Sequence, residues 1–309
     1  MATYTYPLET PVSELTNAEI HLLLSRPNII AKQLATLLDH KFIADFLLQA
    51  RFEARGGTIL YETGESVFAD REPEAVAPGA EYPITTITRG EINAATTTKW
   101  GIETEITDEA LARQGRDILD RTLERLANTV VRHVDQTAWG TIASKVTSTL
   151  TANAAWTSVE GVITSLLVAR AQKEDLDLGI NLDTVALSPL EYAHVMGMFL
   201  NAGVLPREGN NPMLTGEIPP NLLGWTWVVS KHVVGSDPWL FDRRLLGGMA
   251  DEKLNSPGYV SAGKFGVEVA IERVHKRDAY EPRARRVTVP VVIEPLAGAR
   301  LVDTKEVTP

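Results

Sequence analysis

The sequence predicts an α+β chain in which extended pieces come first and a compact body follows. Three observations carry this. Residues Lys99 to Ile142 join a threonine-rich extended entry to an apolar stripe at helical spacing, far longer than most globular helices. Gly56 to Thr98 is rich in Thr, Ile, Val and Tyr around a turn-forming centre, "ADREPEAVAPGA", which is the composition of a β-ribbon with an irregular tip. From Trp156 onward apolar strands alternate with amphipathic helices, and the tail returns to strands.

Each element has a local reason. Thr16 and Glu19 have the spacing of a capping box ahead of "IHLLL", so a short helix starts there. Pro27 opens a second helix with Ile30, Leu34, Leu37 and Leu38 on one face. The following "FIADFLLQ" is too apolar for a free tail, so the first fifty or so residues are expected to form an arm that docks on another surface. The ribbon of Gly56 to Thr98 is expected to lie on another surface too, because its own apolar content is thin and a two-stranded ribbon is marginal in water.

Thr107 is the predicted N-cap of the long helix, with Asp108 and Glu109 placed favourably against its dipole. Leu119, Leu123, Leu126, Val130, Val134 and Ala138 recur at steps of three or four and form the packing stripe. Ended near Gly140, the helix would be about 45–50 Å long at 1.5 Å per residue. A solvated face over an ordinary core explains its charges, and without sustained heptads it is not a coiled coil.

Further on, "SVEGVITSLLVARAQKEDL" reads as an amphipathic helix and "LDTVALSP" as a buried strand. Ser188, Pro189 and Glu191 combine a capping box with proline at the first helical position, and that helix is expected to stop at Gly203. "REGNNPMLTGEIPPN" is a loop by composition, while "GWTWVVSKHVV", "WLFDRR", "FGVEVAIERV", "RRVTVPVVIEP" and "GARLVD" read as strands.

Composition excludes several functions. The chain has 309 residues, 44% hydrophobic and 23% charged, which suits a globular protein rather than a disordered one. No apolar run reaches bilayer length, and the first residues lack a secretory signal. There is no cysteine, so disulfides, zinc-thiolate sites and thiol catalysis are impossible. A net charge of -10 speaks against nucleic-acid binding, which needs clustered Lys and Arg.

Motifs for chemistry are missing as well. None of His21, His40, His133, His194, His232 and His275 forms an i, i+4 pair, and all six read as structural rather than metal-binding. No nucleophile elbow, Walker loop or dinucleotide fingerprint occurs; Gly263 to Gly266 reads as a turn. The basic stretch from His275 to Arg286 is interrupted by Asp278 and Glu281 and reads as a subunit contact or solvated turn between strands. Trp225, Trp227 and Trp239 read as core. Neither catalytic, metal nor cofactor residues are therefore expected.

The order of segments carries a resemblance. "TILYETGESVFADREPEAVAPGAEYPIT" (Thr58 to Thr85), "KWGIETEITDEA" (Lys99 to Ala110), "LANTVVRHVD" (Leu126 to Asp135) and "VALSPLEYA" (Val185 to Ala193) resemble major capsid proteins of tailed double-stranded DNA phages, particularly those of actinobacterial hosts. The resemblance covers essentially the whole chain and implies the Hong-Kong-97-like capsid fold. It implies an N-terminal arm over residues 1–55 and an extended E-loop over 56–98. A peripheral P-domain with its spine helix would comprise 99–155 and 260–309, and an axial A-domain 156–259.

It further implies that E-loop residues Tyr61, Glu65, Phe68, Arg71, Tyr82 and Arg89 meet a neighbouring subunit, and that Leu119, Leu123, Leu126, Val130 and Val134 pack the spine helix. The expected partners are further copies of the chain in hexamers and pentamers, a separate scaffolding protein, a portal and, as a further candidate, a decoration protein. The shell would enclose DNA without specific binding, with no membrane involved, in a virion assembled in the bacterial cytoplasm. An encapsulin-like shell shares the fold, but the long arm and loop favour the phage reading. An enzyme built on the α/β half and a monomeric ligand-binding module are the remaining alternatives.

Overall fold

A computed structural model describes residues 16–38, 42–64, 68–86, 89–202, 224–263 and 266–305. The arm holds α1 (Asn17–Leu24), α2 (Pro27–Leu38) and the short α3 (Ile43–Leu47). The capping box forms as expected: the Thr16 N–H donates to Glu19 Oε2 at 2.8 Å, and the Glu19 N–H to Thr16 Oγ1 at 3.4 Å. Ile30, Ala31, Leu34 and Leu38 are the buried residues of α2. The strand β1 (Ala50–Glu53), which the sequence does not announce, then leads into the ribbon of β2 (Thr58–Thr63) and β3 (Glu91–Thr96).

The long helix differs from expectation. Thr107 does cap a helix, accepting from the Ala110 N–H at 3.3 Å, but α4 (Asp108–Gln114) ends after two turns. Gly115 breaks the run with φ +58° and ψ −139°, a conformation that favours glycine. A separate α5 (Arg116–Lys145) follows and runs past Gly140, for about 45 Å. Gly140 does not stop it because Ala138, Trp139 and Ile142 around it are anchored in the core, and packing outweighs a propensity cost of about 1 kcal/mol. The whole predicted stripe from Leu119 to Ala138 is buried.

Strands β4 (Thr98–Glu103) and β5 (Ile106–Thr107) precede α4. Beyond α5 come β6 (Thr149–Thr151), α6 (Val159–Glu174), β7 (Thr184–Leu187), α7 (Pro189–Asn201), β8 (Thr226–Val229) and β9 (Trp239–Phe241). The chain closes with β10 (Gly247–Asp251), β11 (Val260–Ala262), β12 (Val267–Val274), β13 (Ala279–Val292) and β14 (Gly298–Val302). Ser158 and Ser188 cap α6 and α7. Gly203, the expected stop of α7, and the loop that follows it lie outside the described residues.

The longest strand, β13, organises the larger sheet. Along one edge it pairs with β12 and then β10, and along the other with β5 and β4. The arm joins this sheet through β1, which runs parallel to β10. Against the sheet lie α2, α3 and α5, sharing one core that includes Ile30, Leu123, Trp139 and Val269. A second sheet, in the order β6-β14-β9-β7-β8, carries α6 and α7 over a second core of Leu166, Val185, Phe199 and Trp225. Lys173 ties two crossings between these bodies, its buried Nζ donating to Ser148 Oγ at 2.9 Å and to the Leu296 carbonyl at 2.8 Å.

The basic stretch is also corrected. Only the four residues before Ala279 form the connection from β12; Arg283 to Arg286 belong to β13, which begins earlier than the strand read from Arg285 onward. A strand tolerates these charges because each finds a carboxylate: Arg283 meets Glu103 and Glu272, Arg285 meets Glu268, and Arg286 meets Asp45 and Asp251. Trp225 and Trp239 are buried as expected, while Trp227 is half-buried.

Candidate assembly surfaces

The ribbon is anchored at its base. In β2 and β3, residues Thr58 and Thr96 face each other at one end, and Thr63 and Glu91 at the other. Glu252 holds the base by accepting from the Gly57 N–H at 3.1 Å and the Thr97 hydroxyl at 2.8 Å. Ile59, Tyr61 and Ala95 pack on a small cluster of Ala54, Ala250 and Val291. On the other face of the two strands Leu60 is 71% and Ile92 65% exposed, and beyond them Tyr82 is 82% and Ile84 90% exposed. Hydrophobic side chains so placed gain nothing by folding of this chain alone.

The predicted E-loop residues fall into different settings. Tyr61 belongs to the packed base. Phe68, Tyr82 and Arg89 are exposed on the outer part. Arg71 turns inward on its own loop, donating to Glu74 Oε1 at 3.0 and 2.6 Å. Glu65 lies outside the described residues. The tip is closed by Asp70 and Thr86, whose hydroxyl donates to Asp70 Oδ2 at 2.7 Å. The stripe of Leu119, Leu123, Leu126, Val130 and Val134 lies within the chain's own core, so the opposite, charged face of α5 is the one available to a partner.

The arm is held by a buried ionic cluster that sequence reasoning missed. Arg286 is fully buried and donates to Asp45 at 2.7 and 2.8 Å and to Asp251 at 2.9 and 3.1 Å. Arg51 adds an ion pair to Asp45. Burial alone would push the Arg286 guanidinium down, but the hydrogen bonds and charges of Asp45 and Asp251 outweigh it and hold it up.

Beside this cluster, α3 has no side-chain cap of its own, because Phe42 stands at its N-cap. Asp135 of α5 takes that role across the core, its Oδ1 accepting from the Ala44 N–H at 2.9 Å. Burial pushes the Asp135 carboxyl up to about 6, against the pull of the Ala44 and Ile43 N–H groups. A signal was present in the sequence: Asp45 interrupts an apolar run, and Asp135 sits beside Val134 on the stripe.

Among the described residues no group of three or more His, Asp or Glu is placed to hold a metal ion, and no helix is long and apolar enough to cross a membrane. His133 packs edge-on against Trp100, ring centroids 4.2 Å apart. His40 lies outside the described residues.

Comparisons with known proteins agree with this architecture. A family model described as phage capsid protein matches residues 91–301. Among solved structures, the capsid of the cyanophage P-SCSP1u is similar, with a TM-score of 0.57 at 14% identity over 82% of this chain and 86% of that one. A chain of Microbacterium phage Oxtober96 matches with a TM-score of 0.53 at 12% identity, covering 84% and 90%. A phage-related protein from Bordetella bronchiseptica RB50 matches with a TM-score of 0.53 at 14% identity, covering 88% and 96%. No curated protein matches.

Proposed function

Because this chain belongs to the phage capsid protein family and has the Hong-Kong-97-like fold, we propose that it is the major subunit of an icosahedral shell, assembling as hexamers and pentamers around double-stranded DNA. The observation that carries the proposal is the ribbon, which leaves Leu60 and Ile92 exposed on one face of its two strands and Tyr82 and Ile84 exposed beyond them. A neighbouring copy supplies the surface that covers them. In this reading residues 56–98 form the E-loop, and Phe68, Arg71, Tyr82 and Arg89 meet the neighbour together with Glu65, while Tyr61 seats the base.

The remaining assignments follow the same frame. Residues 1–55 are the arm, 99–155 with 260–309 the P-domain around α5, and 156–259 the A-domain that faces the capsomer centre. A separate scaffolding protein and a portal are the expected assembly partners, with a decoration protein as a further candidate. Assembly takes place in the bacterial cytoplasm and ends in the virion. The role is structural rather than enzymatic, and DNA is enclosed by the shell rather than gripped by it.

Deleting Thr58 to Thr97 tests the ribbon's role. The second body, with its own sheet and core, should stay folded and soluble, and closed shells should be lost. Normal particles from the deletion would contradict the inter-subunit role.

A further inference from the structure

The chain passes between its two bodies three times, through residues 146–148, 242–246 and 293–297. These crossings lie side by side. The Asp242 N–H donates to the Ala297 carbonyl at 2.8 Å, and the Ile293 N–H to the Leu246 carbonyl at 2.9 Å. The first and third crossings approach so closely that a Cβ on Gly298 would stand 2.8 Å from Val146 Cγ1. Two buried side chains fasten the crossings to the second body. Asp242, fully buried, accepts from the Asn181 N–H at 2.9 Å, ahead of β7. Lys173, in the last turn of α6, reaches the other two crossings, because its Nζ donates to both Ser148 Oγ and the Leu296 carbonyl.

Lysine is a costly residue at this position. Lys173 is 2% exposed, and no carboxylate pairs with it among the described residues. Burial pushes its ammonium down from the usual lysine value, against the pull of Glu294. The carboxyl end of α6 offsets part of the cost through its dipole. A well-packed apolar side chain of similar size would escape the desolvation altogether. What an apolar side chain cannot do is fix direction. Hydrogen bonds from one nitrogen to two crossings set the distance of each from α6. The site is therefore arranged for geometry rather than for stability.

We propose that Lys173 couples the two bodies, so that they hold one mutual angle and open together rather than one by one. The proposal stands apart from the capsid reading. In a shell subunit, the same coupling keeps contacts made through one body in register with those made through the other.

Lys173→Met in the full, unassembled chain tests this, since methionine keeps an unbranched side chain and removes the donors. Scanning calorimetry counts the unfolding transitions. Amide exchange follows the Arg300 N–H, which donates to the Ser148 carbonyl at 2.9 Å. The wild type should unfold in one transition and Lys173→Met in two, with exchange at Arg300 about tenfold faster. Ser148→Ala removes one of the two bonds and should give part of that rise. Leu166→Ala opens a cavity in the second core and should lower the melting temperature while keeping a single transition. That contrast separates coupling from loss of stability. If Lys173→Met does not fold, Ser148→Ala and Leu166→Ala carry the comparison, and an unchanged Arg300 in Ser148→Ala would overturn the proposal. A wild type that already unfolds in two transitions would overturn it as well. So would a folded Lys173→Met that keeps one transition.

Discussion

Two parallel hydrogen bonds, of 2.7 and 2.8 Å, join the Arg286 guanidinium on β13 to the Asp45 carboxylate on α3, with both side chains shut off from solvent. They fasten the arm to the longest strand of the chain across 241 positions of sequence. Replacing one member of a buried pair strands the other, which costs about 3–5 kcal/mol. Arg286→Met should therefore lose stability of that order in denaturant unfolding, and the arm should become the first site of limited proteolysis. A loss below about 1 kcal/mol would contradict the anchoring role.

Asp135 gives the subunit a pH dependence of opposite sign to an ordinary paired carboxylate. Its folded pKa is raised to about 6 from a usual value of 3.8, so the folded state binds the proton more tightly than the unfolded one. Stability should rise as pH falls from about 6 towards 4, by roughly 2–3 kcal/mol. Asp135→Asn keeps an oxygen to accept the Ala44 N–H and removes the ionisation. Subtracting its pH–stability curve from that of the wild type should isolate the rise; parallel curves would contradict the assignment.

Gly248 admits β1 to the large sheet. A Cβ at this position would stand 2.2 Å from the Ala50 carbonyl oxygen, its register partner on the parallel strand. Backbone cannot yield as a flexible side chain does, so Gly248→Ala should cost about 1–3 kcal/mol or more. Amide exchange should locate the loss in residues 50–53 and 247–251; an unchanged β1 would show that the strand is not held this way.

Sequence periodicity carried some elements and missed others for physical reasons. The stripe from Leu119 to Ala138 was legible because a helix repeats its environment every three or four residues, and Thr16, Thr107 and Ser188 were legible because capping is local. The break at Gly115 was not legible, since its positive-φ conformation depends on where α4 and α5 must point. The pairing of β1 with β10, and the burial of Arg286, depend on residues about two hundred positions away. That is also why the stretch from His275 to Arg286 reads as a subunit contact or solvated turn: the carboxylates that neutralise Arg283, Arg285 and Arg286 come from α3, β4, β10 and β12. On the ribbon the composition gave the two strands and their irregular tip, but not which side chains seat the base.

Covalent cross-linking of the shell through the ribbon is not expected. Between Gly56 and Thr98 there are Arg71 and Arg89 but no lysine, and Lys99 comes only where β4 joins the sheet. Arginine stays protonated and is a poor nucleophile, and without cysteine there is no disulfide route. Particles boiled in denaturing detergent should give a single band near 33.8 kDa. A ladder of covalent multimers would refute this, with Lys99 the first residue to replace.

The central claim, that this chain is a shell subunit whose ribbon is completed by its neighbours, is tested most directly by electron microscopy of the purified, full-length protein produced with its assembly partners. The account predicts closed icosahedral particles built of hexamers and pentamers, in which density for each ribbon lies on an adjacent copy. Fields containing only monomers or small soluble oligomers, or shells whose ribbons fold back on their own chain, would contradict it.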